Sequence, residues 1–239
     1  MSLPIPPRRQ LTAMLAVLVV LALPGCSLVE ELTNPQTAPV VTETPAPEPT
    51  PYPSQFTDDG TYQSHIKVDG LDFVYTLYPT KATPRTNEWY PRGNKFFSFT
   101  FQAYDLDRRL RDPFRTKRKV WLQDIEVTSE TKTTNNVVEQ PYYLMDEAKE
   151  ITFDPQPVSN RRGMLVTSPK GAFEIRNQKI GTLDLATEGV DLTFRATVWI
   201  ERRAGTKRYY RKVIRERVPI SIFPSTLVTE VADIPLNAN

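Results

Sequence analysis

The stretch that decides the fold is Val190-Asp-Leu-Thr-Phe-Arg-Ala-Thr-Val-Trp-Ile200, followed after a short polar interruption by Tyr209-Tyr-Arg-Lys-Val-Ile-Arg-Glu-Arg-Val-Pro-Ile-Ser-Ile222. In the first half Val190, Leu192, Phe194, Ala196, Val198 and Ile200 recur at every second position. In the second, Tyr210, Ile214, Val218, Ile220 and Ile222 all share one parity. Side chains alternate across a strand, so period two with β-branched and aromatic residues marks strands with one face inward and one wet. The segment Glu201 to Lys207, with Gly205 inside it, reads as the loop of a long antiparallel hairpin joining roughly 190–200 and 208–222.

Working outward, the same alternation appears in Leu71, Phe73, Tyr75, Leu77 and in Phe97, Phe99, Phe101, Ala103. Turn signals separate the runs: Asp69-Gly70, Arg92-Gly93-Asn94, Asn135-Asn136, Arg162-Gly163, Lys170-Gly171 and Glu188-Gly189. Helical periodicity is confined to Tyr142–Glu150, expected as a short helix, and a turn near Leu106–Leu110. Many short strands without βαβ alternation argue for an all-β antiparallel β-sandwich, immunoglobulin-like in architecture, over residues 61–225. Some 160 residues suit one domain with its own core. The final 226–239 form a C-terminal tail.

The amino-terminal part has a different character. Arg8 and Arg9 precede an apolar run from Leu11 to Leu23, and Leu23-Pro24-Gly25-Cys26 closes it with the chain's single cysteine. This tripartite pattern resembles the bacterial lipoprotein signal peptide. The resemblance covers the first 26 residues, and Pro24 departs from it where a small residue is usual. It implies cleavage after Gly25 and acylation of Cys26, which becomes the first residue of a lipid-anchored protein at the bacterial membrane, facing outside the cytoplasm. An uncleaved anchor is disfavoured, since about 13 apolar residues fall short of the roughly 20 a span requires. Two or three acyl chains exceed what stable anchoring needs.

Residues 26–60 read as a tether. Between Thr33 and Ser54 Pro45, Pro47, Pro49, Pro51 and Pro53 alternate strictly, with no glycine and few large apolar groups. Such a segment cannot bury enough surface to offset its ordering entropy and favours extended polyproline II. At about 3.1 Å per residue it reaches up to roughly 90 Å. A ligand for a proline-binding module or a glycosylated stalk are the alternatives to a plain spacer.

Charge divides along the same boundary. The whole chain has 30 basic and 28 acidic side chains. Every charged group from Cys26 to Gly60 is acidic (Glu30, Glu31, Glu43, Glu48, Asp58, Asp59), so the body carries about +6. Without cysteines beyond Cys26 the body has neither disulfides nor thiolate metal sites, and burial must stabilise it. His65 is the sole histidine, which leaves histidine-based triads and zinc centres without ligands. The nine glycines are scattered among turns rather than gathered in a phosphate loop. No cofactor is expected.

Cationic clusters are the most suggestive feature of the body. Arg108, Arg109, Arg111, Arg115, Lys117, Arg118 and Lys119 lie close together, and Arg202, Arg203, Lys207, Arg208, Arg211, Lys212, Arg215 and Arg217 flank or follow the hairpin loop. Arg211, Arg215 and Arg217 share the wet parity of their strand. They are expected to form a stripe that can meet anionic lipid headgroups, wall polymers or an acidic envelope protein. The competing reading is a solvated edge strand whose charges oppose aggregation. A body at +6 without a recognisable module lacks the footprint of a nucleic-acid binder. Asp105, Asp107, Asp112 and Asp146 are the carboxylates available to an alternative, an envelope hydrolase, while the interleaved arginines around the first three favour a salt-bridged loop over a calcium site. Among the aromatics, Trp89 is expected to cap the core, Trp199 to face solvent, and Trp121 to be buried with Ile125 and Val127. The function expected is a noncatalytic, membrane-tethered binding or structural module facing an envelope partner.

Overall fold

A computed structural model describes residues 52–81 and 87–226. Gly25, Cys26, and most of the tether and tail lie outside the described residues. Two short helices and ten strands follow one another: α1 (Gln55–Asp59), β1 (Tyr62–Val68), β2 (Leu71–Pro79), β3 (Lys95–Asp105), β4 (Val120–Thr133), β5 (Tyr143–Glu147), α2 (Ala148–Ile151), β6 (Ser159–Asn160), β7 (Gly163–Leu165), β8 (Phe173–Ile180), β9 (Thr187–Glu201) and β10 (Tyr209–Ser221). One sheet has the order β1-β2-β3-β8. The other runs β10-β9-β4-β7-β6, with β5 paired to β4 alongside β7. All pairs between these strands are antiparallel, so the chain is an all-β, two-sheet sandwich.

The inward residues read from the alternation make the core. Leu192, Phe194, Ala196, Val198 and Ile200 of β9 are fully buried, as are Phe73, Tyr75, Phe99 and Phe101 of the opposite sheet. Phe194 meets Phe99 edge-on with centroids 4.9 Å apart and Tyr75 at 5.6 Å, which locks the two sheets face to face. Each large side chain removed from water stabilises by roughly 1.5–3 kcal/mol. Trp89 is buried, as expected, against Phe56 at 5.1 Å.

Three local expectations are corrected. Most of Tyr142–Glu150 is strand: β5 pairs with β4 from Asp124 to Thr128, and only Ala148–Ile151 turns into helix. The long flank of β4 needs a backbone partner there, and Leu144 packs inward, so pairing overrides local propensity. Trp121 faces outward and is partly exposed, because β4 is irregular between Leu122 and Asp124. Gln123 is the extra residue of this β-bulge, and it exchanges inward and outward parity, burying Val120 and Leu122 instead. Finally, α1 lies in the stretch assigned to the tether, yet Phe56 is part of the core. The folded body therefore reaches back to Tyr52.

Tyr52 is pinned at the base of the β9–β10 hairpin. Its hydroxyl donates to Asp191, its carbonyl accepts from Ser221 Oγ, and its ring lies against Gly189, where a Cβ would sit 2.5 Å from the ring. Ser54 caps α1 by accepting from Thr57 N and itself donates to the Pro219 carbonyl at 2.9 Å. The chain thus enters the sandwich at one end of β9, and the loop 202–208 lies at the other, fifteen residues along the strand.

Candidate functional site

β10 is the edge of its sheet, and Pro219, which has no N–H to offer, sits in it as edge strands allow. Arg211, Arg215 and Arg217 are all exposed on its outer face, opposite Trp199, Arg195 and Thr193 respectively. The stripe is there, but its members differ. Arg217 is bound to Asp191 and to the Tyr52 hydroxyl, and that hydrogen bond to Asp191 pushes its pKa further up. Arg211 and Arg215 form no ion pair with any described residue. Arg195, the neighbour of Arg215, is paired with Glu126 at 3.1 Å.

The β3–β4 loop divides more sharply. Arg115 is exposed, whereas Lys117 and Arg118 are buried and Lys119 half-buried. Lys117 Nζ donates to the Arg109 carbonyl at 2.6 Å. Arg118 donates to Asp105 through Nε and Nη2 and to the carbonyls of Asp69 and Gly70, and it bridges Asp107 at 3.1 Å. Lys119 Nζ donates to the carbonyls of Phe114 and Lys117 and lies 4.4 Å from the Phe114 ring centroid. Three of the cations expected on a binding surface thus hold the loop in place, because their charged donors reach backbone carbonyls and a carboxylate instead of solvent. The loop's exposed cations are Arg108, Arg109, Arg111 and Arg115.

The carboxylates are not assembled into a pair over a cleft. Asp105 and Asp107 converge on Arg118, Asp112 accepts from the Arg109 backbone N–H, and Asp146 accepts from Glu147 N on β5. The salt-bridged loop is what the interleaved arginines build.

Lys119 N and Lys207 N both donate to Glu201, which brings the loops 106–119 and 202–208 to the same end of the sandwich. Tyr210 and Lys212 bind Asp69, adding the β1–β2 turn. Exposed Arg202, Arg203, Lys207 and Arg208 make this pole basic. At the Tyr52 pole, Asp58, Asp59 and Asp184 are exposed.

Between the outer face of β4–β9 and the β6–β7 hairpin lies a hollow of about 490 Å³, lined by Gln123, Glu147, Lys149, Asn160, Arg161, Arg162, Gly163 and Trp199. Two backbone features shape it. The bulge turns Gln123 outward beside Trp199, whose indole N–H donates to Gln123 Oε1 at 2.8 Å. Gly163 has φ +115 and approaches so closely that a Cβ would lie 1.8 Å from the Leu122 carbonyl oxygen. That approach seats the two-residue turn Arg161-Arg162 against the sheet, with the Arg162 guanidinium 4.3 Å from the Tyr209 ring centroid. Sequence reasoning placed Trp199 on the wet face and marked the Arg162-Gly163 turn. It missed the hollow because two- and three-residue strands carry no periodicity to read.

No family model matches the chain, and no curated protein matches it either.

Proposed function

We propose that the chain is a membrane-anchored extracytoplasmic lipoprotein: acyl groups on Cys26 hold it, a proline-rich tether carries the sandwich, and the sandwich is a noncatalytic module binding an anionic polymer of the envelope. The signal-like pattern of residues 1–26 and the acidic, glycine-free tether support the anchoring. The immunoglobulin-like character of the body belongs to the same proposal. The observation that carries the binding role is the exposed, uncompensated charge of Arg211 and Arg215, continuous with the basic pole formed by loops 106–119 and 202–208. Charges with no carboxylate partner attract a polyanion at long range and lose that attraction as salt screens them.

Reversing both charges with Arg211→Glu and Arg215→Glu should abolish salt-sensitive retention of the protein on isolated envelope fractions. Arg217 is left intact in that variant because it ties down Asp191 and Tyr52. Unchanged retention, with the fold intact by circular dichroism, would mean that the stripe is solvated surface.

A further inference from the structure

We infer that the hollow beside Trp199 is a subsite for an acidic saccharide, a pyranose ring bearing a carboxylate. The inference does not rest on the polyanion-binding stripe, whose residues lie outside the hollow.

The lining suits such a ring part by part. Trp199 offers a partly exposed indole whose orientation is fixed by the bond to Gln123, with the Arg162 guanidinium 5.9 Å from its ring centroid, so a sugar ring would pack on the part of the indole that Arg162 leaves open. An apolar C–H face packs on an indole, and hydroxyl groups around the ring then need donors and acceptors in its plane. Gln123 Nε2 and Asn160 Nδ2 make no hydrogen bond among the described residues, since only the oxygens of these amides are used within the fold. Glu147 supplies an exposed carboxylate to accept from hydroxyls, held by Lys149 at 3.0 Å.

Charge sets the class of sugar. Lys149 is neutralised by Glu147 and Glu150, and Arg162 is stacked on Tyr209. Arg161 is exposed and has no partner among the described residues, so its planar fork is free to take a carboxylate through two parallel bonds. The volume falls within the roughly 300–1,000 Å³ of small-ligand sites. The hollow also exists only because the sheet departs from regularity at Gln123 and Gly163, and bulges commonly re-aim side chains beside binding sites.

The test is calorimetric titration of the purified full-length chain in detergent with tetragalacturonate, a neutral galactose tetramer and inorganic phosphate, with tryptophan fluorescence read in parallel. Tetragalacturonate should bind and perturb the fluorescence, the neutral tetramer should bind about tenfold more weakly, and phosphate should not compete. Trp199→Ala should weaken tetragalacturonate about tenfold or more, as loss of a central aromatic anchor does. Arg161→Gln, on an exposed turn with no bond to lose, should weaken tetragalacturonate about tenfold while leaving the neutral tetramer unchanged, and it serves alone if Trp199→Ala does not fold. Failure of tetragalacturonate to bind, equal binding of both tetramers to the unmodified chain, competition by phosphate, or unchanged binding by a folded Trp199→Ala variant would each overturn the assignment. Arg215→Glu alone tests the polyanion stripe separately, because Arg215 stands opposite Arg195, whereas Arg211 stands opposite Trp199 and its reversal would place a carboxylate beside the hollow.

Discussion

Asp105 keeps its charge in the interior because Arg118 comes to it. Burial alone would raise the carboxyl pKa, but the side-chain and backbone hydrogen bonds from Arg118 outweigh burial and hold it below the ordinary carboxylate value. The folded chain therefore gives up this proton more readily than the unfolded chain. The pair's contribution is present above the unfolded value of about 4 and is lost as pH falls through the lower folded value. Arg118→Ala would strand a nearly buried carboxylate and remove the donor from the Asp69 carbonyl, while the Gly70 carbonyl keeps the Leu106 N–H. The expected loss is about 3–5 kcal/mol at pH 7, read by urea denaturation, and the gap to the unmodified protein should begin to narrow above pH about 4, where burial protonates the stranded Asp105 of the variant, and narrow further below it as the parent loses its pair. A variant as stable as its parent would show the pair to be dispensable. Linear sequence indicated that these arginines and aspartates would neutralise one another. It did not indicate which arginine would go inside, because that depends on where the Asp69-Gly70 turn lands relative to the end of β3.

At the scale of elements, the long strands were readable and the short ones were not. β9 holds a period of two from Val190 to Ile200, and β10 keeps its apolar residues on one parity despite Lys212 and Glu216, so hairpin, loop and inward face follow directly from the letters. β4 loses that reading at one inserted residue, which is why Trp121 and Gln123 exchange expected roles. β5 and β7 exist because the flank of β4 demands hydrogen-bond partners, and β6 pairs in turn with β7, requirements no local pattern records. The start of the body was hidden for a related reason: α1 is short, follows the proline run, and is held by contacts with β10 far away in sequence. Gly189 controls that attachment. Gly189→Ala would put a methyl group into the Tyr52 ring. It should free Tyr52 while Phe56 keeps α1 in the core and the sheets stay paired, so limited proteolysis should cut near residues 52–54 at least tenfold faster at a nearly unchanged global transition, since local opening is sampled independently of global unfolding. Equal cleavage rates would show that Tyr52 does not secure the entry point.

For the whole molecule, the two-sheet architecture was legible and the strand order was not, because alternation assigns faces without assigning neighbours. The anchoring proposal also belongs to this scale. Cys26→Ala removes the only sulfur in the chain that can be acylated and should move the protein from the detergent phase to the aqueous phase on partition. A variant that stays with the detergent would exclude anchoring by lipid.

The separation of arginine-rich loops from the aspartates near Tyr52 has a further physical consequence. A negatively charged layer acts on such a body as a mechanical couple, drawing the arginine-rich pole harder than the pole where Arg92 and Arg217 offset the aspartates, so that the molecule turns before any contact forms. Rotation of this kind selects the docking pose in advance and fades once mobile ions shorten the field to less than the length of a long strand.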